Sequence, residues 1–500
     1  MSSLLKYFAV PDAISASQLR RRLAAALICA LAAAPGAVHA ADAQTDARIR
    51  ALEQQIDLLR AQVQDLKVSE ASKYAEAKRS RDSMMENGRP TIRSADGKYT
   101  ASLRSLVQFD AAHYIQQHAP AGSDLATATN FRRARIGVEG VLEKVFDYSF
   151  IYDFGGSGVE GSTISAAYVQ YSALKPFAIR LGAFAPFASL EDSGGAGDTI
   201  FMERASAVEL ARGLAGGDGR SAVAVSMIGD RYFSSLALTG ARVGQSGSFD
   251  EQQGLVGRVA GLIYTNPAAN ANIVLGGNVS HIFEPADSNA GSSDIPAATI
   301  FSNPPELRVD NTGANGASAS LISTGAIIAD TVTQWGLDGA AQWKNLYAEG
   351  GYFHFSADRR GAGLAGSDPE FSGWYAQTSW LLTGENRRYD PARAAFRAPK
   401  VAAPFTGLAD SGWGVWEVAA RYSVLDLNEQ TSRSTANGGI RGGEQDIWTF
   451  GANWYPNNAL RFSLNYLLID IDRLAQGTTP PFPDISQKDQ ALALRSQVSF

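Results

Sequence analysis

Long runs in which apolar and polar side chains alternate are the feature that most limits what this chain can fold into. Such runs occupy residues 146–154, 177–183, 460–468 and 492–500, and similar runs lie between them. Successive side chains of a β-strand point to opposite faces of the sheet, so each run gives one apolar face and one polar face. A run of about ten residues is long enough to cross the hydrocarbon layer of a membrane at a tilt.

The number of these runs favours a closed membrane barrel over a soluble β-sandwich. A sandwich also contains alternating strands, but a single pair of sheets does not hold so many long ones. The aromatic residues fall near the ends of the runs, where the two membrane interfaces would lie. The predicted fold is therefore an all-β transmembrane barrel of about 16 antiparallel strands, with a polar lumen.

Short and long connections mostly alternate along the predicted strands, as expected when turns face the periplasm and loops face outside. Tight turns are predicted at residues 142–145, 172–176, 229–230, 266–270, 344–345 and 456–458. Long polar loops are predicted near residues 115–130, 184–220, 284–330, 357–370, 428–444 and 471–487. Residues 385–412 break the rule, because they are long and basic although strand parity places them on the turn side. Either a strand is miscounted there, or this turn is unusual.

Composition and motifs exclude several other classes of protein. After the first 40 residues, no stretch approaches the length of apolar sequence that a helical membrane span needs. The net charge of −6 argues against a nucleic acid partner. His113, His118, His281 and His354 lack metal-ligand spacing, and no nucleophile elbow or phosphate-binding loop is present. We therefore expect no metal, no other cofactor and no enzymatic activity.

Residues 1–40 have the order of a secretory signal peptide. Arg20, Arg21 and Arg22 precede an apolar run, and small residues ending at Ala40 supply a cleavage site. Cys29 is the only cysteine, so cleavage leaves a chain without thiols, which suits an oxidising compartment. Lipid attachment at Cys29 and twin-arginine export are weaker alternatives. We expect export to the outer membrane of a Gram-negative bacterium.

Residues 41–87 are predicted to form a short coiled-coil helix followed by a polar linker from about residue 68, ahead of a barrel domain at 88–500. A seam of apolar residues alternates in spacings of three and four, as in a supercoiled helix: Ile49, Leu52, Ile56, Leu59, Val63 and Leu66. A lone amphipathic helix packed on the barrel is the alternative. The seam alone favours a dimer and does not fix the stoichiometry of the whole protein.

The chain ends on Phe500, an aromatic residue at the end of an alternating run. Outer-membrane insertion machinery recognises such terminal strands by strand addition and an aromatic pocket. An exposed apolar terminal strand would be an aggregation hazard on a soluble protein. We therefore expect the insertion machinery to be a partner, through Phe500.

Several segments of the chain together carry a family resemblance. They begin with Gly88-Arg89-Pro90-Thr91-Ile92, Gln108-Phe109-Asp110 and Phe131-Arg132-Arg133-Ala134-Arg135, and continue with Phe201-Met202-Glu203-Arg204, Gly373-Trp374-Tyr375, Ala420-Arg421-Tyr422-Ser423 and Asn453-Trp454-Tyr455-Pro456. Together they resemble the phosphate-selective porin family, porins O and P. The resemblance covers roughly residues 88–500. It implies a homotrimer of 16-stranded barrels, embedded in outer-membrane lipid and passing anions such as phosphate by passive diffusion. It also implies a long third loop folded inward, which here would be about residues 184–220.

Arginines on the polar face of the strands are the candidate anion-binding residues, because a guanidinium group replaces the hydration of a phosphate oxyanion with a planar set of donors. The candidates are Arg104, Arg132, Arg133, Arg135, Arg180 and Arg204, with Arg212 and Arg220 as weaker additions. The resemblance places the constriction of the family at Arg132 and Arg133, and ion pairing with loop acids is the alternative role.

The loop at 184–220 departs from the family pattern. It carries six acidic residues against three arginines, and it has no lysine. Acids that face the lumen would weaken an anion preference or reverse it. A general porin without phosphate selectivity therefore stays open as an alternative, and a barrel enzyme or an adhesive barrel are more remote ones.

Overall fold

The computed structural model describes residues 41–82, 85–86, 88–120, 122–156, 163–244, 250–288, 296–310, 313, 319–360, 368–407, 412–477 and 480–500. The predicted signal peptide at 1–40 lies outside these residues. The chain divides into two compact units, one ending at Asp82 and the other beginning at Ser83.

The described part of the first unit is one long helix, α1, which spans Ala41–Asp82. The helix therefore continues through the stretch after residue 68 that the composition predicts to fray into a linker. The seam residues from Ile49 to Leu66 are exposed, with relative exposures between 47% and 64%. An apolar seam in water suits self-association, and the coiled coil stays a prediction. Among the described helices, none is long and apolar enough to cross a membrane.

The second unit is a closed antiparallel β-barrel. Within the described residues the main sheet has 18 strands, two of them short. Arg89–Arg93 pairs with the start of the first barrel strand, and Met85–Glu86 pairs with Arg89–Arg93. The other sixteen form the barrel wall, and the last pairs with the first, from Ser499 opposite Leu106 to Asp489 opposite Gln116. Phe500 continues this pairing by exchanging two backbone hydrogen bonds with Ser105.

The described barrel strands are numbered β1 to β16 in chain order. They span Thr100–Gln116, Ala128–Leu142, Phe146–Asp153, Thr163–Tyr171, Phe177–Phe184, Arg220–Ile228, Tyr232–Arg242, Gln253–Asn266, Ala271–Glu284, Ala329–Trp343, Leu346–Arg359, Glu370–Leu381, Val415–Glu429, Ile440–Tyr455, Leu460–Asp472 and Gln487–Ser499. The described residues of the connections contain helices α2 and α3, two 3₁₀ turns and two short hairpins. Helix α2 spans Leu190–Gly194, α3 spans Ser206–Ala215, and the 3₁₀ turns span Pro267–Ala269 and Thr435–Asn437. One hairpin pairs Ser302–Asn303 with Ile322–Ser323, and the other pairs Arg388–Asp390 with Ala395–Arg397.

The two faces of the barrel wall have the reverse of the usual arrangement in a soluble protein. On β15, the polar residues Arg461, Ser463 and Asn465 are buried inside, while Phe462 and Leu464 are more than 40% exposed outside. A soluble sandwich would bury its apolar face instead. An apolar outer face around a polar interior is what a membrane barrel requires, so the barrel prediction is confirmed.

Aromatic side chains form two bands on the outer face. Trp416 stacks on Trp454 with ring centroids 5.5 Å apart, close to the short turns. Tyr422 contacts Trp448 at 4.8 Å, farther along the same two strands. Trp448 and Trp454 are six residues apart on β14, which corresponds to roughly 20 Å along a strand. This spacing suits the two interfaces of an apolar band.

The long basic segment predicted at residues 385–412 is an unusual connection on the turn side, and the strand count of sixteen is correct. At one end of the barrel, short turns join consecutive strands such as β2 to β3 and β10 to β11, and we call this end the turn end. Long loops lie at the opposite end, which we call the loop end. Residues 382–414 join β12 to β13 at the turn end. The strands themselves need no such length there, since Leu381 pairs directly with Glu417 and the Leu382 N–H donates to the Trp416 carbonyl. We call residues 382–414 the basic connection.

Candidate functional site

The loop that joins β5 to β6, residues 185–219, folds into the lumen as predicted, and we call it the inward loop. Its segment Ala196–Glu203 lies along the inner wall, where side chains from β1 and from β13 to β16 donate to its backbone carbonyls. The donor–acceptor pairs are Gln108 to Ala196, Gln497 to Gly197, Arg461 to Thr199 and Ile200, Asn453 to Ile200, Arg495 to Met202, and Arg421 to Glu203. Buried carbonyls need such partners, so these wall side chains fix the path of the loop.

Helix α3 continues the inward loop beside the wall and is held by Glu306, which lies in the connection between β9 and β10. The helix has no side-chain cap of its own at Ala205. Instead, the carboxylate of Glu306 accepts the Ser206 N–H at 2.9 Å, which places a negative charge at the helix N-terminus. Glu306 also pairs with Arg421 of β13 and accepts from the Ser423 hydroxyl at 2.6 Å. The helix is thereby tied to the wall.

The basic connection enters the lumen from the turn end. Arg387 pairs with Glu417 of β13 at 2.8 Å, and both side chains are almost fully buried. Arg258 of β8 donates to the carbonyls of Arg393 and Ala394, at 2.6 and 2.9 Å. The basic connection is therefore held against the inner wall on two sides.

The inward loop contacts the basic connection through Asp198. Its carboxylate pairs with Arg397 at 2.5 Å and accepts the Ala398 N–H at 2.9 Å. Arg387 also donates to the Asp198 carbonyl. Loop and connection therefore share an anchor within the barrel.

We expect Asp198→Ala to loosen the basic connection. The substitution removes a charge-assisted hydrogen bond and a backbone contact, which should raise the population of the undocked connection by roughly tenfold or more. The measurement is the rate of trypsin cleavage after Arg393 or Arg397 in the detergent-solubilised barrel. Glu385→Ala, which removes an acid from the same connection but no anchor, is the control. Equal cleavage rates in both variants would contradict the anchoring role of Asp198.

Arg132 and Arg133 both point into the lumen, although strict alternation would place them on opposite faces. Gln108 pairs with Arg133 and Phe109 with Phe131, so Arg132 is the extra residue of a β-bulge. Two consecutive side chains can share a face at a bulge. Arg132 pairs with Glu203 of the inward loop, Nε to Oε1 at 2.9 Å, and Arg133 lies 3.9 Å from the same carboxylate.

Glu203 is the centre of a buried ion-pair cluster in the described lumen, which we call the Glu203 cluster. Its carboxylate also pairs with Arg495 of β16 at 2.8 Å, and Arg495 in turn holds Asp110 of β1 at 2.6 Å. All of these side chains are at most 6% exposed. Three guanidinium groups therefore converge on one acid where the inward loop meets the wall.

Arg135 and Arg204 lie in the same region and are also paired with acids. Arg135 contacts Asp153 at 2.6 Å and Asp218 at 2.5 Å. Arg204 lies 3.3 Å from Asp192 and 3.4 Å from Glu209. Burial alone would raise the pKa of Glu209, but Arg212 and Arg204 outweigh it and lower that pKa to about 2. Glu209 is therefore ionised at neutral pH and offsets part of the local positive charge.

The weaker candidates of the inward loop have structural contacts. Arg212 pairs with Asp192 at 2.6 Å and with Asp218 at 2.8 Å. Arg220 donates to the carbonyls of Gly213, Gly216 and Gly240. The acids that depart from the family pattern are thus matched to nearby arginines, rather than left to repel an anion.

Arg104 and Arg180 face the lumen apart from the Glu203 cluster. Arg104 lies 3.7 Å from Glu139. Arg180 donates through Nε and Nη2 to the amide oxygen of Gln170, at 2.9 and 2.7 Å, and lies over the ring of Tyr168. Within the part of the chain that the structure describes, no carboxylate comes within 4 Å of Arg180. Arg180 thus differs from the other five candidates.

Several lumen arginines were not on the candidate list. Arg421, Arg461 and Arg495 hold the inward loop, while Arg258 and Arg387 hold the basic connection. Arg421, Arg461 and Arg495 could have been found by the criterion that selected Arg180, because each of them alternates with apolar residues along its strand. No group of side chains in the described residues has the composition of a metal site.

Comparison with known proteins places this barrel in a family. A family model described as phosphate-selective porin O and P matches residues 104–500. The chain belongs to this porin family. The resemblance inferred from the sequence segments is therefore confirmed, and the closed barrel with a polar, loop-crossed lumen is that of a porin.

This porin is similar to characterised and uncharacterised relatives over most of its length. It is 26% identical to Porin O of Pseudomonas aeruginosa, over 77% of this chain and 86% of that protein. It is 27% identical to an uncharacterized protein of Caulobacter vibrioides, over 79% of this chain and 72% of that protein. Among solved structures, an anion-selective porin from Comamonas acidovorans matches with a TM-score of 0.47 and 11% identity, covering 80% of this chain and all of that one.

Proposed function

We propose that this porin gives small anions a passive route across the outer membrane of a Gram-negative bacterium. The observation that carries the proposal is the convergence of Arg132, Arg133 and Arg495 on Glu203, where the inward loop narrows a polar lumen. Arginines can replace the hydration of an oxyanion as it passes. Several moderate sites allow both entry and release, whereas one deep site would trap the ion.

A second candidate is a general porin without phosphate selectivity. The pairing of the candidate arginines with Glu203, Asp153, Asp218 and Asp192 favours it, because paired charges leave a weaker field for an anion. Single-channel recordings in planar bilayers with KCl and then phosphate separate the two. Anion preference with block of the chloride current by phosphate supports the phosphate route. Cation preference, or no block, would leave the general porin.

Replacing Arg132 and Arg133 with Ala is expected to weaken phosphate block. Loss of two charge-assisted contacts should raise the half-blocking phosphate concentration by about tenfold or more. The measurement is the titration of chloride current with phosphate at fixed ionic strength. Arg388→Ala, which removes an exposed arginine from the basic connection, is the control. Unchanged block in the double variant would remove these arginines from the anion route.

We also propose the assembly and targeting that the sequence predicts. Residues 1–40 act as the export signal, α1 self-associates through its exposed seam, and three barrels form a homotrimer in the outer-membrane lipid. Phe500 serves as the recognition residue for the insertion machinery. The exposed apolar seam of α1 and the terminal strand that ends beside β1 support these proposals. Chemical cross-linking of the purified protein with and without residues 41–82 tests the trimer and the role of α1.

A further inference from the structure

A patch of aromatic rings surrounds Arg180 on the lumen side of β4 and β5. The guanidinium carbon of Arg180 lies 4.3 Å from the ring centroid of Tyr168, 5.2 Å from that of Phe184 and 5.8 Å from that of Phe187. Phe187 contacts Phe233 edge-on at 5.1 Å. We call these residues, together with Tyr389, the arginine–aromatic patch.

The basic connection completes this patch from the turn end. Tyr389 and Phe187 both pack against one buried cluster formed by Phe233, Ala260 and Ala394. Phe184 and Phe233 are buried, whereas Tyr168, Phe187 and Tyr389 are only partly covered. The patch therefore has a buried support and an accessible edge.

Arg180 keeps donors available for a ligand. Its Nε and Nη2 both donate to the same amide oxygen of Gln170. Its Nη1 makes no hydrogen bond to the residues that the structure describes. By contrast, Arg132 places two nitrogens on the carboxylate of Glu203. The side chain of Arg393, the neighbour of Ala394, is 39% exposed and lies 3.8 Å from the carboxylate of Asp390.

A charged donor among partly accessible rings suits an anion that has an apolar body. Inorganic phosphate would use the guanidinium group but would gain nothing from the rings. A flat carboxylate such as benzoate would use both, since its carboxylate can accept from a guanidinium edge while its ring contacts the aromatic faces and edges. We propose that the arginine–aromatic patch binds aromatic carboxylates in transit, which makes organic anions a substrate class of this channel; the inference rests on the proposed anion route.

The test compares two anions that share a carboxylate and differ in a ring, in the full-length channel reconstituted in planar bilayers. Benzoate is expected to block the chloride current at a concentration about fivefold lower than acetate, the gain expected for one aromatic contact. Arg180→Gln should weaken block by both anions. Phe187→Ala should weaken block by benzoate alone.

Two controls keep the result specific to the patch. Arg388→Gln removes an exposed arginine elsewhere on the basic connection, and Phe462→Ala removes an aromatic ring from the outer face of β15. Both should behave as the unmodified channel. Heat-dependent gel mobility identifies the variants that fold correctly; if Phe187→Ala does not fold, Phe187→Leu replaces it.

The outcomes separate this inference from the proposed function. Anion preference with equal block by benzoate and acetate would overturn the aromatic site and leave the anion route standing. A benzoate preference that survives both Arg180→Gln and Phe187→Ala would also overturn it, because the preference would then arise elsewhere. A channel without anion preference would overturn both proposals.

Discussion

Replacing residues 384–414 with Asn-Gly is expected to raise the single-channel conductance by at least about twofold, because current depends on the narrowest lumen section. Leu381 already pairs with Glu417, so a two-residue turn can join β12 to β13 at this register. The replacement removes the buried side chains of Arg387, Ala394, Ala395 and Phe396 from the lumen. It also removes five basic residues and three acidic ones, a net loss of two positive charges, so anion preference should fall as conductance rises.

Arg258→Met offers a milder form of the same test. It removes the two hydrogen bonds that hold the carbonyls of Arg393 and Ala394 but leaves the basic connection in the chain. We expect a smaller rise in conductance with more current noise. An unchanged conductance in the turn replacement, for a barrel that still shows heat-dependent gel mobility, would mean that the current is limited elsewhere.

Glu203→Gln is expected to strengthen phosphate block. Gln keeps the size of Glu203 and can still accept from Arg132, but it removes the negative charge shared by Arg132, Arg133 and Arg495. A unit charge at this range contributes about 4 kcal/mol at an effective dielectric near 20. If about a third of this interaction energy acts on a passing anion, the half-blocking phosphate concentration should fall by about tenfold.

The control for Glu203→Gln is Asp470→Asn, which also removes one acid but at an exposed pair with Lys488. Ion pairs of that kind contribute little, so block should not change. Breaking a buried pair can destabilise a protein by about 3–5 kcal/mol, and gel mobility checks that the barrel survives. If the half-blocking phosphate concentration of both variants equals that of the unmodified channel, phosphate does not pass close to the Glu203 cluster.

The sequence predicted the barrel well because the membrane imposes a strict rule on each strand. Period-two alternation separates lipid-facing from lumen-facing residues, and turns such as Lys344-Asn345 interrupt it sharply. The six predicted tight turns and six long loops each coincide with a connection between strands, although the loop predicted at 428–444 extends into β14, which begins at Ile440. The end of α1 was harder to predict, because its last residues are polar and carry no apolar period to mark where helix gives way to linker.

The lumen was only partly predictable, because its contacts join residues far apart in the chain. The inward-facing strand arginines followed from alternation, but the sequence did not reveal that Arg461 and Arg495 would bind loop carbonyls rather than face open water. The bulge that turns Arg132 inward depends on the register between β1 and β2. The docking of the basic connection on Asp198 is likewise a long-range contact that no local pattern encodes.

The position of the inward loop depends on barrel strands that come much later in the chain. The loop residues 196–203 are made early, yet their carbonyls are held by Arg421, Arg461 and Arg495, which are made more than 200 residues later. Gln108 of β1 donates to the Ala196 carbonyl beside them, and Gln497 of β16 donates to the Gly197 carbonyl. The inward loop therefore has all of its wall contacts only when both the first and the last barrel strands are in place. A truncation that removes β16 is therefore expected to remove the Arg495 and Gln497 contacts of the inward loop and also to open the barrel wall.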